Sequence, residues 1–221
     1  MASVRERFLL SLLEALPIPQ EGEPAVLIGI DGVDGAGKTV LADELGTRLA
    51  SLAPVERISI DGFHHDRAVR YHRGRRSAKG FWLDSYDYEA FRKAVVDPFR
   101  AGTGTFLSAS HDLESDAILT EPRLPVRTGS IVVVDGIFLH RPELREVWDF
   151  SLFLDVPFAE SVRRLSHRDG TSPIPSAPEN RRYVEGQRIY LTECAPASHA
   201  SLVIDYADVE NPRIMPRAAA G

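Results

Sequence analysis

The chain has 221 residues, 43% hydrophobic and 26% charged, with a formal net charge of −6. The acidic balance argues against a generic nucleic-acid or anionic-membrane binder, which carries a basic excess, and no apolar stretch approaches the ~20 residues of a membrane helix. A single cysteine, Cys194, excludes an intrachain disulfide and fits a reducing compartment such as the cytoplasm.

Val4, Phe8, Leu12 and Leu16 recur at fours, which predicts an amphipathic packing helix rather than a targeting peptide. Three prolines and a glycine between Leu16 and Pro24 then read as a linker. Residues 25–30 form a nearly continuous apolar run, the pattern of a strand buried on both faces. After the glycine-rich segment Gly32–Thr39, Val40, Leu41, Leu45, Leu49 and Leu52 fall at helical spacing. A second strand over 55–60 ends at Asp61, and the His- and Arg-rich stretch 64–80 reads as irregular. The pattern then predicts a helix over 88–99, a hairpin within 102–126, and a third buried strand over 131–134 ending at Asp135. A fourth strand over 150–156 precedes a basic helix from Phe158 to about His167. A proline-rich loop over 169–179, a helix over 182–194 and a last strand over 202–205 follow, and the chain from Pro212 reads as a tail. Strands alternating with helices predict an α/β fold, an open parallel sheet covered on both faces.

The segment Gly32-Val33-Asp34-Gly35-Ala36-Gly37-Lys38-Thr39 is a complete phosphate-binding loop between a strand and a helix. Its glycines let successive backbone N–H groups turn onto phosphate oxygens, and the following helix adds its positive end. Lys38 is expected to reach the β- and γ-phosphates and Thr39 to ligate magnesium, with Val40 completing the nucleotide-contacting set. Such a loop also needs an acid on a neighbouring strand for the metal. Asp135 is the candidate, the alternative being a strand-ending turn with Gly136. Asp61 ends another strand in the same way, so Lys38, Asp61 and Asp135 should meet at the carboxyl ends of the strands. Arg163, Arg164, Arg168, Arg181 and Arg182 flank the proline loop and read as a lid that neutralises charge on the γ-phosphate, or else as a solvated basic face. Only Asn180 and Asn211 are asparagines and neither precedes lysine, which removes the guanine-reading sequence of a GTPase.

Taken together these motifs resemble the uridine kinase branch of the P-loop kinases, which includes phosphoribulokinase and bacterial pantothenate kinase. The likeness rests on the Gly32–Thr39 loop, Asp61-Gly62-Phe63-His64, Asp84-Ser85-Tyr86-Asp87, Val134-Asp135-Gly136-Ile137-Phe138 and the Arg164…Arg168-Asp169 lid signature. The Tyr183…Gln187…Tyr190 helix and the final Val203-Ile204-Asp205 strand complete it. The resemblance implies a P-loop NTPase three-layer sandwich with a mainly five-stranded parallel sheet, first and third strands adjacent, and a helical lid. It divides the chain into an N-terminal helix and linker (1–24), a kinase domain (25–210) and a C-terminal tail (211–221).

The same resemblance implies ATP and Mg²⁺ as cofactors and phosphorylation of a hydroxyl. Lys38, Arg164 and Arg168 would stabilise the transferring group, and Asp61 would accept the hydroxyl's proton. His64, Asp87 and His111, with Asp61 and Arg168, are the candidate acceptor contacts. Asp87 matches a position that binds ribose hydroxyls, although it also reads as a helix N-cap. Uridine kinases usually carry Asp-Ser-Phe-Tyr where this chain has Asp61-Gly62-Phe63-His64, and often Glu where it has Asp135. The acceptor is therefore expected to be a nucleoside such as uridine, with pantothenate or a phosphosugar as alternatives, the basic stretch 67–79 being either a place for an anionic one or a solvated loop. A nucleotide-binding regulator without turnover is the remaining alternative. Both a monomer and a homodimer are compatible with the sequence.

Overall fold

The computed structural model describes residues 2–216. An N-terminal helix α1 (Val4–Ala15), capped by the Ser3 side chain, leads to strand β1 (Val26–Gly32) and helix α2 (Lys38–Leu49). Strand β2 (Val55–Ser59) runs into a 3₁₀ turn over Ile60–Phe63. Helices α3 (Arg67–Tyr71) and α4 (Ala78–Asp84) follow, then α5 (Tyr88–Phe91), a π turn over Arg92–Val96 and α6 (Asp97–Ala101). Short strands β3 (Thr105–Phe106), β4 (His111–Asp112), β5 (Ala117–Ile118) and β6 (Leu124–Pro125) precede β7 (Ile131–Gly136) and β8 (Phe150–Asp155). The chain continues through α7 (Phe158–Asp169), α8 (Pro178–Cys194), α9 (Pro196–His199), β9 (Leu202–Asp205) and β10 (Arg213–Ile214).

The main sheet has the order β10-β9-β8-β1-β7-β2. Five strands are parallel and β10 pairs antiparallel to β9 at the edge. β1 lies between β7 and β8, so the first and third strands of the parallel set are neighbours, as the resemblance implies. Alternate side chains of each central strand enter opposite cores. Leu27, Val132 and Val134 pack with Phe81, Trp82, Phe91 and Phe138 on one face. Ile28, Ile30, Ile131 and Val133 pack with Leu41, Leu45 and Leu12 on the other. Burial on both faces is why these strands read as unbroken apolar runs.

Helix α1 belongs to the second core through Phe8, Leu9 and Leu12, while Val4, on the predicted stripe, is exposed. Two ion pairs, Arg5–Glu44 and Arg48–Glu6, tie it to α2. The stretch expected to be irregular, 64–80, instead holds α3 and the start of α4. The Asp66 and Ser77 side chains cap the two helices by accepting from Val69 and Gly80 N–H. Each cap satisfies an amide that a short helix leaves free, a signal stronger here than apolar periodicity. The predicted helix over 88–99 extends to Ala101, where Gly102 stops it in the left-handed conformation. A π turn in its middle has Asp97 N–H donating to Arg92 carbonyl, just before Pro98, which has no N–H to offer. The predicted hairpin is a nested pair of ladders, β3–β6 outside and β4–β5 inside. Helix α8 starts earlier than expected, at Pro178, a residue preorganised for a first helical turn. Part of the segment read as a tail is ordered in β10, because Arg213 and Ile214 find open edge groups on β9. Residues 217–221 of that tail lie outside the described residues.

Candidate active site

Parallel pairing brings the carboxyl ends of β1, β7 and β2 to one edge. Ile30 pairs with Asp135, and Asp135 in turn with Ser59, two residues before Asp61. The phosphate loop leaves β1 at this edge. Gly37 sits at φ 96° and closes the loop onto α2 with no side-chain cap, so the first-turn amides of α2 face outward without a competing acceptor. Gly35 is held at φ 74°, and a Cβ there would lie 2.4 Å from the Ser161 carbonyl, because α7 packs directly on the loop. Lys38 is buried and donates to Val33 carbonyl at 2.9 Å, which holds its ammonium along the inside of the loop.

Thr39 and Asp135 do meet. Thr39 Oγ1 donates to Asp135 Oδ2 at 2.6 Å, and Asp135 is 2% exposed. The other carboxylate oxygen takes a hydrogen bond from Arg57 at 3.0 Å, and Arg57 also donates to Val133 carbonyl. Sequence reasoning missed Arg57. Its signal was a charge in the middle of a strand, opposite Val133 in the register.

Asp61 lies on the 3₁₀ turn after β2. Its Oδ1 accepts from Tyr86 hydroxyl at 2.7 Å, and its carbonyl lies 2.7 Å from His64 Nδ1. An isolated antiparallel bridge pairs His64 with Tyr86, with the rings 4.4 Å apart. This bridge joins the Asp61-Gly62-Phe63-His64 and Asp84-Ser85-Tyr86-Asp87 stretches, which the sequence shows only as separate motifs. Burial, then the charge of Asp61, pushes the Tyr86 hydroxyl well above its ordinary range, so it stays a donor at neutral pH. Burial pushes the His64 imidazole down, and it stays neutral there.

Helix α8 closes the far side of the site. Its anchor is Asp31, fully buried at the end of β1, which accepts from Tyr190 hydroxyl and lies 2.7 Å from His140 Nδ1. One turn earlier, Gln187 brackets Asp34. Its Oε1 accepts from Asp34 N–H at 2.7 Å and its Nε2 donates to Asp34 Oδ2 at 3.1 Å. Arg164 donates to the carbonyls of Ala36, Tyr206 and Ala207, and so fastens α7 to the loop and to the segment after β9. Arg168, 71% exposed and paired with Asp169, has its charge open to solvent.

These groups share a cleft of about 1030 Å³, whose wall includes Asp34, Lys38, Thr39, Asp61, Asp135 and Arg168. His64, Tyr86, Val40 and Arg164 line it too. Two predicted acceptor contacts do not. Asp87 Oδ1 accepts from Ala90 N–H at 2.8 Å as the N-cap of α5, and its other oxygen is 3.9 Å from His65. His111 is buried in β4 with Nε2 3.1 Å from Asp116. Asp87 is engaged in capping and His111 in a contact with Asp116, and neither lies on the wall of this cleft. Within the basic stretch 67–79, Arg70 donates to His65 carbonyl and Asp116, and Arg73 donates to Asp84. Among the described residues no helix is long and apolar enough to cross a membrane.

No protein-family model matches the chain. A uridine kinase of Clostridium botulinum is 27% identical over 150 residues, 65% of this chain and 68% of that protein. A pantothenate kinase of Clavibacter michiganensis is 26% identical over 139 residues, 58% of this chain but only 43% of that protein. A solved structure from Bacillus stearothermophilus, described as a "Possible Uridine Kinase", superposes with a TM-score of 0.66 at 25% identity, covering 91% of this chain and 97% of that one. With the loop, the two strand-end acids and the strand order on the page, these likenesses support a uridine kinase-like P-loop kinase family for the chain.

Proposed function

We propose that the protein transfers the γ-phosphate of ATP to a hydroxyl of a small molecule, with a nucleoside such as uridine as the first acceptor to test. One observation carries the reading: Lys38, the Thr39–Asp135 pair and Asp61 line a single cleft, each from the carboxyl end of a different parallel strand or the loop that follows it. The loop amides and Lys38 cradle the phosphates of ATP and offset charge on the transferring group. Asp61 orients the acceptor hydroxyl and takes its proton as the new P–O bond forms. Tyr86 holds one oxygen of that carboxylate and leaves the other for the acceptor. Arg168, whose guanidinium is not tied to backbone carbonyls, is the lid arginine suited to the γ-phosphate, while Arg164 supports the loop from behind.

Thr39 and Asp135 present hard oxygen donors side by side, a set that suits magnesium, which takes few protein ligands and otherwise binds water and nucleotide phosphates. There Mg²⁺ would neutralise phosphate charge. The metal role of this pair is part of the proposal.

A panel of nucleosides, sugars, sugar phosphates and pantothenate, incubated with ATP and Mg²⁺ and read by mass spectrometry for a phosphorylated product, tests the reading. Phosphorylation of a nucleoside is the expected result. Product from pantothenate or a phosphosugar instead would move the acceptor assignment. ATP binding with no product from any acceptor would favour a nucleotide-binding regulator.

A further inference from the structure

Phosphate binding needs N–H donors and positive charge at the loop. Asp34 supplies the opposite, a carboxylate at the third position of the loop, on the wall of the cleft. An anion there opposes the nucleotide, so its presence asks for another partner. Its surroundings point to one. Gln187 fixes the Asp34 backbone and Oδ2, which tethers the carboxylate toward α8. Among the described residues no protein donor reaches Oδ1. The charges that act on it are Lys38, Asp61 and Arg168, and Asp34 in turn acts on Tyr86. Tyr86, Asp61 and Arg168 are the groups assigned above to the acceptor and the transferring phosphate. Burial pushes the Asp34 carboxyl up, Lys38 draws it down and Asp61, on the wall of the same cleft, adds to the rise.

We propose that Asp34 is a specificity-determining residue of the acceptor site, its Oδ1 accepting a hydrogen bond from a second donor of the acceptor while Asp61 engages the hydroxyl to be phosphorylated. The acceptor therefore carries a neutral or cationic donor, a further hydroxyl or an amine, near the reacting hydroxyl, and no anionic group at that end. This second contact comes from the phosphate loop and not from Asp87, whose oxygen caps α5. The inference rests on the kinase reading and extends it to the choice of substrate.

The experiment compares, for wild type, Asp34→Asn and Asp34→Ala, an acceptor found in the panel with its counterpart lacking the neighbouring hydroxyl. Wild type is expected to use the deoxy counterpart about 10- to 100-fold less well in kcat/KM, the range for a hydrogen bond to a charged group. In Asp34→Ala that penalty should vanish, with ATP KM within about twofold of wild type. Asp34→Asn keeps the shape and an oxygen for Gln187, so a folded protein is retained, and it should show an intermediate penalty. An undiminished penalty in both variants overturns the inference alone, as does a loss that appears in ATP KM instead of the acceptor term. Preference of wild type for an acceptor anionic beside the reacting hydroxyl also overturns it alone. Absence of transfer to every acceptor by wild type overturns the kinase reading, and the inference with it.

Discussion

The two halves of the cleft are built in different ways. On the phosphate side a continuous run of chain does the work: β1, the loop and the first turn of α2 present backbone amides, and Lys38 and Thr39 follow within two residues. On the acceptor side no stretch suffices by itself. Asp61 and Tyr86 are 25 residues apart, and Asp34 and Gln187 are 153 apart. Phosphate binding that resides in backbone geometry is local, whereas the selectivity proposed for this site would come from side chains brought together by the sheet and by α8. Substitutions on the first side should therefore strike turnover for every acceptor, and those on the second should discriminate.

The largest expected effect is at Lys38. Lys38→Ala removes the cation inside the loop and should lower kcat for all acceptors by about 10²–10³-fold, the range for losing one preorganised stabilising donor. Steady-state assays on two unrelated acceptors check this, and a loss confined to one of them would break the contrast. Tyr86→Phe deletes one hydrogen bond to Asp61 without changing the ring. It should lower kcat about tenfold, within the range for a bond to a charged group, with ATP KM unchanged. An equal rise in ATP KM would show that the two sides are not separable.

Asp87→Ala separates a capping residue from an acceptor ligand. Loss of the bond to Ala90 N–H should cost about 1 kcal/mol of stability in denaturant unfolding, and acceptor KM should stay within about twofold. A large rise in acceptor KM would return Asp87 to the site. The smallest effect lies outside the cleft. The hydrogen bond from Arg163, reinforced by Arg164, lowers the Glu160 carboxyl from its ordinary 4.5 to about 2. A folded value below the unfolded one means the stabilisation is fully present above about pH 4.5 and is lost as pH falls toward 2. Glu160→Gln should therefore lower stability slightly near neutrality and flatten the acid limb of the stability profile in that window, the two proteins converging as pH falls toward 2.

The same contrast explains what the sequence made legible. The parallel sheet, its strand order by resemblance, the loop and the meeting of Thr39 with Asp135 follow from short patterns: apolar runs, glycines at fixed spacing and acids at strand ends. The helices α3 and α4 were hidden because a single capping side chain, Asp66 or Ser77, starts each of them without a full apolar period. His111 and Asp87 have local partners because a polar side chain serves its nearest neighbours first, and nothing in the spacing tells a cap from a ligand. Arg57 carries no motif and its partner Asp135 is distant in the chain, and the Tyr183…Gln187…Tyr190 pattern does not show that Gln187 binds Asp34, 153 residues away.

The central claim is that Asp61 takes the acceptor's proton in a cleft that holds ATP independently of it. Single-turnover phosphate transfer by Asp61→Asn, measured beside ATP affinity by calorimetry, tests this most directly. The account predicts transfer reduced by about 10²–10⁴-fold, the range for a positioned general base, with ATP affinity within a few-fold of wild type. Transfer at the wild-type rate, or a loss explained entirely by weaker ATP binding, would contradict it.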